Sequence, residues 1–232
     1  MKLTVVGGNG PYPAAGGACS GYLLESGDTR VLLDCGTGAL AALTAIMPPE
    51  ELDAIVLSHL HYDHMSDMLP LIYRVQGKRK LPVYAPMEPA GVRGLLADAF
   101  DLRDISQGGV IGDLRMAAMP MRHPVPSYAT RFEGREKVFC YSGDTNTCPA
   151  LADFVKNCDL LLIDACFTDA LWAENKPHLS SRLAAEAARE AGARHLLLTH
   201  FTPGSELDTL LRQGREVFPQ AALAEAGLTV SF

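Results

Sequence analysis

The sequence has no excess of positive charge, no closely spaced cysteines and no apolar run of membrane-spanning length. Each absence excludes something. Lys and Arg number 20 against 27 Asp and Glu, a formal charge of -7, so clustered cations for binding phosphate backbones are scarce. Stable nucleic-acid binding is therefore not expected, while a small anion held by metal stays open. The six cysteines, at 19, 35, 140, 148, 158 and 166, form no CxxC pair, which argues against a zinc ribbon or a dithiol redox motif. They read as small buried apolar residues in a reducing compartment. Residues 1–6 run into Gly7-Gly8 without the apolar core of an export signal, and no stretch approaches the roughly 20 apolar residues of a membrane helix. A cytoplasmic protein without membrane attachment is expected.

What is present suits one folded domain over residues 1–232, with 48% hydrophobic and 20% charged residues and no repeat or linker dividing it. Residues 3–6, 21–25 and 30–34 read as strands, separated by the Gly/Pro-rich stretch 7–17 and the turn signal Ser26-Gly27-Asp28. A helix is expected over 39–47, stopped by Pro48-Pro49. The fully apolar residues 54–57 predict a strand, 65–76 a helix, 81–85 a strand and 88–100 a helix. Further strands are expected at 114–119, 128–132, 138–141, 160–163 and 195–199. An Ala-rich helix at 179–191, ended by Gly192, and a surface helix at 205–217 complete the pattern. Strands with interleaved helices predict a layered α/β architecture.

Seven histidines occur, and three stand together in Ser58-His59-Leu60-His61-Tyr62-Asp63-His64, the pattern HxHxDH. The motif follows an apolar strand and precedes a helix, so its side chains converge at a strand's end. His59 and His61 alternate and can share one direction, while Asp63 and His64 fall where the chain turns and can face a second point. Two adjacent metal ions can be served in this way. Imidazole suits zinc, iron, nickel and manganese to differing degrees, and carboxylate suits the harder ions.

HxHxDH after a short apolar strand resembles the signature of the metallo-β-lactamase superfamily. The resemblance implies a four-layer αββα sandwich with metal at one edge of its two sheets. It also implies ligands further along, each just past a strand: His123 after 114–119, Asp144 after 138–141 and His200 after 195–199. By that resemblance His59, His61 and His123 hold one ion, Asp63, His64 and His200 hold the other, and Asp144 bridges. Asp34, in Leu33-Asp34-Cys35-Gly36, resembles the aspartate that orients a ligand imidazole. The ions implied are two divalent cations, zinc first, with manganese or iron acceptable to the same donors.

An aspartate at 144, where the secreted zinc β-lactamases usually carry cysteine, points away from antibiotic hydrolysis and towards a dinuclear site suited to phosphoryl transfer. Pro177-His178-Leu179-Ser180, before the Ala-rich helix, resembles the tRNase Z branch, in which a histidine there pairs with an upstream glutamate. Here Asp164 stands in the glutamate's place, and Asp67 stands where glycine is usual after HxHxDH. The interval between His123 and Asp144 holds Arg131, Arg135 and Lys137 but has no room for the tRNA-gripping arm of that branch. The dense basic cluster Arg74, Lys78, Arg79, Lys80 reads as a solvated helix end. The expected activity is hydrolysis of a small or cyclic phosphodiester, with Asp63, His178 and Asp164 as catalytic residues: Asp63 orients the water, and His178, held by Asp164, assists the leaving oxygen. The alternatives are tRNA 3′-processing, hydrolysis of a carboxylic ester, lactone or thioester, and metal binding without turnover. Residues 8–17 and 167–176 are expected to border the cleft, with Trp172 a candidate stacking surface. The relatives it resembles favour a homodimer.

Overall fold

Along the strands, side chains alternate between two buried faces, and this alternation builds the layers. The structure, a computed structural model, describes residues 1–77 and 79–232. The first half runs β1 (Lys2–Gly7), β2 (Gly21–Ser26), β3 (Thr29–Leu33), α1 (Ala39–Thr44), β4 (Ala54–Val56), α2 (Tyr62–Met65), α3 (Met68–Val75), β5 (Pro82–Ala85), α4 (Ala90–Gly94) and β6 (Asp101–Asp104). The second half runs β7 (Gly109–Ile111), β8 (Leu114–Met121), β9 (Ser127–Glu133), β10 (Val138–Tyr141), α5 (Leu151–Phe154), β11 (Leu160–Asp164), α6 (Ser181–Glu190), β12 (His195–Thr199), α7 (Leu207–Arg215), β13 (Ala222–Leu223) and β14 (Thr229–Ser231).

Two seven-stranded sheets result, ordered β14-β1-β2-β3-β4-β5-β6 and β13-β12-β11-β10-β9-β8-β7. Each combines antiparallel strands with a parallel run, β3 to β6 in one and β10 to β13 in the other. Leu3, Val5, Tyr22 and Leu24 of the first sheet meet Phe139, Leu160 and Leu162 of the second in one shared core. Leu23, Leu32 and Ile55 face outward onto Leu43 of α1 and Met68 and Leu71 of α3. Leu161, Ile163 and Leu198 face outward onto Ala184 and Ala188 of α6 and Leu210 of α7. Three apolar interfaces thus separate four layers, αββα, and each fully buried Leu contributes about 1.5–3 kcal/mol to holding them. Among the described residues, no helix is long and apolar enough to cross a membrane.

Several elements differ from expectation for local reasons. The helix expected over 65–76 is two, α2 and α3, because the Asp67 backbone N–H bonds the Cys35 carbonyl. The Asp67 carboxylate meanwhile accepts the Leu40 N–H at the start of α1, a role glycine could not fill. The helix expected over 88–100 survives only as α4, whose Gly91 and Gly94 weaken it. Its tail becomes turns leading to the edge strand β6. α1 stops at Thr44, before the prolines, and α6 starts at Ser181 with Ser180 as its cap, the Ser180 hydroxyl accepting the Leu183 N–H.

Candidate metal centre

β4 ends at Val56, and within a few residues the chain delivers His59 and His61 and then enters α2, which carries Asp63 and His64. His123 follows β8, Asp144 follows β10 and His200 follows β12. All these strands end at one edge of the sandwich, where α/β folds place their ligands. Six of the seven histidines meet there; His195, at the opposite end of β12, does not.

The donor atoms of the expected ligands form two groups. His61 Nδ1 lies 3.1 Å from both His59 Nε2 and His123 Nε2. Asp144 Oδ2 lies 3.5 Å from His59 Nε2 and 4.0 Å from His123 Nε2. A tetrahedron of ligands at zinc distances has edges of about 3.3 Å, so these four atoms have the spacing of one coordination shell. In the second group His64 Nε2 lies 3.5 Å from Asp63 Oδ2 and 3.3 Å from Asp144 Oδ2. His200 completes it, with Nε2 3.9 Å from Asp63 Oδ2 and Nδ1 3.3 Å from Asp144 Oδ1. Asp144 thus touches both groups, as a bridging ligand would. His64 Nε2 and His200 Nδ1 are buried with no hydrogen-bond partner among the described residues, and a cation is the partner such lone pairs lack. The donor set therefore fits divalent metal.

The electrostatics agree. Burial lowers the proton affinity of His59, His61 and His123 and takes His200 down to about 4, leaving neutral imidazoles with free lone pairs. Burial alone would raise Asp144, but His200, His64 and His59 outweigh it and hold the carboxyl well below its usual range. Burial would likewise lower His64, but the Asp144 and Asp34 charges reverse this and push it well above its ordinary value. The carboxylates thus draw positive charge inward, as a proton where no metal ion competes for the site.

Asp34 is the buried anchor beneath this group. It accepts His64 Nδ1–H at 2.7 Å, the Ser58 N–H at 2.7 Å, the Ser58 hydroxyl at 2.8 Å and the Tyr141 hydroxyl at 2.7 Å. Asp34 and His200 both adopt left-handed backbone, φ 56 and 68, and such strain outside glycine collects at functional sites. Two glycines allow the close approach. A Cβ on Gly10 would sit 2.0 Å from His200 Cε1, and one on Gly36 would sit 1.9 Å from the Asp63 carbonyl oxygen.

His178 occupies the rim. Its ring stacks on His200 with centroids 4.7 Å apart, and its Nδ1 lies 2.7 Å from Asp164 Oδ2. The pairing therefore forms with aspartate in place of glutamate. Asp164 is buried and also accepts the N–H groups of Thr145 and Cys166. Burial opposes charge on His178, but Asp164 and Asp144 outweigh it and raise its pKa to about 9. Burial also raises the Asp164 carboxyl against the pull of His178. His178 Nδ1 is 3.8 Å from Asp144 Oδ2, and His178 forms a third, overlapping donor group with Asp144 and His200, but its Nδ1 is taken by Asp164 and the other two groups are complete without it.

Sequence reasoning missed three supports. Tyr141 and Ser58 hold Asp34, and Asn146, fully buried, donates to the carbonyls of Ala173, Glu174 and Lys176. Asn146 thereby anchors the loop that leads to His178, helped by a 3.2 Å hydrogen bond between His123 Nδ1 and the Pro177 carbonyl. Trp172 is half-buried and donates its indole N–H to Asn146 Oδ1, which makes it part of this anchor. Both expected border segments reach the cleft, 8–17 through Gly10 and 167–176 through Phe167, whose ring lies 5.8 Å from His178. Of the basic cluster, Arg74 pairs with Glu50 and Arg79 donates to the Leu52 carbonyl, while Lys78 lies outside the described residues. Arg131 donates to the Phe154 and Lys156 carbonyls, a packing role. Five cysteines are buried and all six are free thiols.

Comparison with known proteins places this geometry. The Beta-lactamase superfamily domain matches residues 29–201. The chain is 34% identical to the probable metallo-hydrolase YhfI of Bacillus subtilis (strain 168) over 229 residues, 94% of each chain. The crystal structure of YhfI superposes with a TM-score of 0.93 at 32% identity, covering 99% of this chain and 98% of that one. The chain is also 30% identical to a ribonuclease Z of Methanopyrus kandleri over 276 aligned residues, 99% of this chain and 97% of the other. That alignment exceeds the 232 residues here, so the ribonuclease carries insertions this chain lacks. A diphosphatase from the PhnP family shares the fold, with a TM-score of 0.77 at 21% identity over 100% of this chain and 97% of that one. Sequence and fold agree along nearly the whole length, and the chain belongs to the metallo-β-lactamase superfamily, on its tRNase Z-like branch.

Proposed function

We propose that this metallo-hydrolase is a phosphodiesterase acting on a small or cyclic phosphodiester, with two divalent ions, zinc by ligand preference, bound at the paired donor groups. The carrying observation is the His178–Asp164 pair at 2.7 Å, beside both donor groups and at a side-chain exposure of 13%. His59, His61, His123 and Asp144 would hold one ion and Asp63, His64 and His200 the other, with Asp144 also 3.3 Å from His64 and His200 and so placed to bridge. Two ions so placed supply a nucleophilic water at neutral pH and positive charge against phosphate oxygens. Asp63, the least buried donor of its group, would orient that water and accept its proton. Asp164 accepts Nδ1–H of His178 and so fixes the ring, leaving Nε2 to give a proton to the departing alkoxide. An aryl ester or a thioester expels a group that asks for no such acid, so the pair favours a substrate that releases an alkoxide, a phosphodiester among them. The short β9–β10 hairpin between His123 and Asp144 favours a small substrate over tRNA.

The test is turnover by metal-stripped protein reloaded separately with zinc and manganese. Substrates are bis-p-nitrophenyl phosphate, 2′,3′- and 3′,5′-cyclic nucleotides and a lactone panel. Metal-dependent cleavage of diesters is expected, falling sharply in His178→Ala for the cyclic nucleotides and much less for bis-p-nitrophenyl phosphate, whose leaving group needs little acid help. Full metal occupancy with lactone but not diester turnover would overturn the reading.

A further inference from the structure

Asn146 stands two residues past Asp144, is fully buried, and uses both ends of its side-chain amide. We propose that Asn146 is a positioning residue for the proton donor: it sets where the His178 ring stands against Asp164 and the donor groups, and through that ring it sets how readily a poor leaving group departs. The proposal rests on the phosphodiesterase reading for the reaction, though not for the geometry.

Position comes first. The Asn146 backbone N–H bonds the Arg122 carbonyl at 2.9 Å, directly before His123. Thr145, between Asp144 and Asn146, donates its N–H to Asp164 Oδ2 at 3.0 Å and its hydroxyl to the Asn146 carbonyl at 2.7 Å. Asp164 Oδ2 is also the oxygen that lies 2.7 Å from His178 Nδ1. On its other side Asn146 reaches the loop before His178. Its Nδ2 donates to the carbonyls of Lys176 at 2.5 Å, Ala173 at 3.2 Å and Glu174 at 3.3 Å. The next carbonyl, that of Pro177, lies 3.2 Å from His123 Nδ1. A closed circuit results, from Asn146 through the loop and Pro177 to His123, and back through the Arg122 carbonyl. His178 is the next residue after that circuit, and its ring rests on the carboxylate that Thr145 also holds. The loop lies between β11 and α6, and an irregular segment keeps one shape only where its carbonyls find donors.

The residue type comes second. A side-chain amide carries two donor hydrogens and an oxygen with two lone pairs. Here Nδ2 faces three carbonyls, while Oδ1 accepts the Trp172 indole N–H at 3.1 Å and the Thr147 N–H at 2.6 Å. Both ends are therefore fully engaged. Aspartate has the same shape but would set a carboxylate oxygen against carbonyls. Alanine would take from the Lys176 carbonyl and the Trp172 indole the partners they have here. Arg122 would keep only its own contact, Nη2 to the Glu174 carbonyl at 2.9 Å on the exposed side. The backbone bonds of Thr145 and Asn146, and every metal-ligand side chain, stay in place in such a variant. The loss falls on the loop.

The test reads the ring directly. An imidazole N–H held by a buried carboxylate resonates far downfield of backbone amides in proton NMR. Zinc-loaded protein should give two such signals, one from His178, identified by its loss in His178→Ala, and one from His64. In Asn146→Ala the His178 signal should broaden or vanish while that of His64 stays. Trp172→Phe keeps an aromatic ring, removes only the N–H to Asn146, and should speed solvent exchange of the His178 signal; it decides the matter if Asn146→Ala does not fold. On 2′,3′-cyclic AMP, kcat should fall about 10²-fold in Asn146→Ala, the scale of a misplaced catalytic group, and less in Trp172→Phe, with KM little changed. Turnover of bis-p-nitrophenyl phosphate and bound zinc should change little in either. A His178 signal that neither variant disturbs overturns the proposal, and so does a wild-type spectrum with the His64 signal alone. Equal losses on both substrates would mark general damage and overturn it too. Loss of the signal in the variants of a protein that cleaves no diester would keep the positioning role and discard the phosphodiesterase reading. Diester cleavage with the same leaving-group dependence in wild type and variants would do the reverse.

Discussion

The same device appears twice in this molecule: a buried aspartate accepting Nδ1–H of a histidine at 2.7 Å, once as Asp34 and His64 and once as Asp164 and His178. What differs is the far nitrogen. His64 is fully buried and turns Nε2 towards Asp63 and Asp144, whereas the His178 side chain keeps 13% of its surface at the cleft. The aspartates differ as well. Asp34 gathers two hydroxyls and a backbone N–H besides its imidazole, while Asp164 gathers only backbone N–H groups besides its own. On the proposed reading one pair holds a ligand still, and the other leaves a ring nitrogen free for substrate. Depth in the fold, rather than the chemistry of the pair, sets the task.

The largest effect expected is on His178. His178→Ala should lower kcat/KM for cyclic nucleotides about 10²- to 10⁴-fold, the usual worth of a general acid. Metal content, read by atomic emission, should stay unchanged. Because p-nitrophenolate leaves without much help, the loss on bis-p-nitrophenyl phosphate should be much smaller. Equal losses on both, together with lost metal, would make His178 a ligand like His64 and erase the contrast.

Asp34→Ala should act on stability first. It strands a buried imidazole, two hydroxyls and a backbone N–H, a loss of about 3–5 kcal/mol by denaturant unfolding. Asp34→Asn keeps the shape and tolerates the left-handed backbone but loses the charge, so it should weaken metal binding about 10- to 100-fold in chelator competition. If Asp164→Asn weakened metal as much as Asp34→Asn, the two aspartates would share one role and the comparison would fail.

The first pair was the easier one to read from sequence, since the second has aspartate where the resemblance implies glutamate. HxHxDH compresses four donor residues into one signal, and the later candidate ligands follow from the family resemblance that signal carries, each just past an expected strand, so the cluster was legible in the sequence. The αββα layering was legible as well, since β1 to β4 and β10 to β12 alternate or run apolar throughout. Tyr141 was not legible: it reaches Asp34 from 107 positions away, and nothing local marks a strand-end tyrosine as a donor. Asn146 looks like one more turn residue until the loop at 173–176 folds over it. The edge strands β6, β7, β13 and β14 escape because they are short and at most half-buried along much of their length, so no apolar period marks them.

The smallest effect falls on the His178 side alone. Ser180 caps α6 through the Leu183 N–H and also donates to Asp169, so it ties the loop carrying His178 to the helix. Ser180→Ala should lower stability by about 1 kcal/mol, the usual cost of an N-cap, read from the urea midpoint at constant m-value. Its effect on activity should be selective. With the loop loosened, kcat for poor leaving groups should fall several-fold, while metal affinity, set at Asp34 and His64 on the opposite sheet, stays at the wild-type value. A matching fall in metal affinity would mean that the two histidine–aspartate pairs are mechanically joined through the His123 hydrogen bond to the Pro177 carbonyl, and that the rim cannot be disturbed without disturbing the ligands.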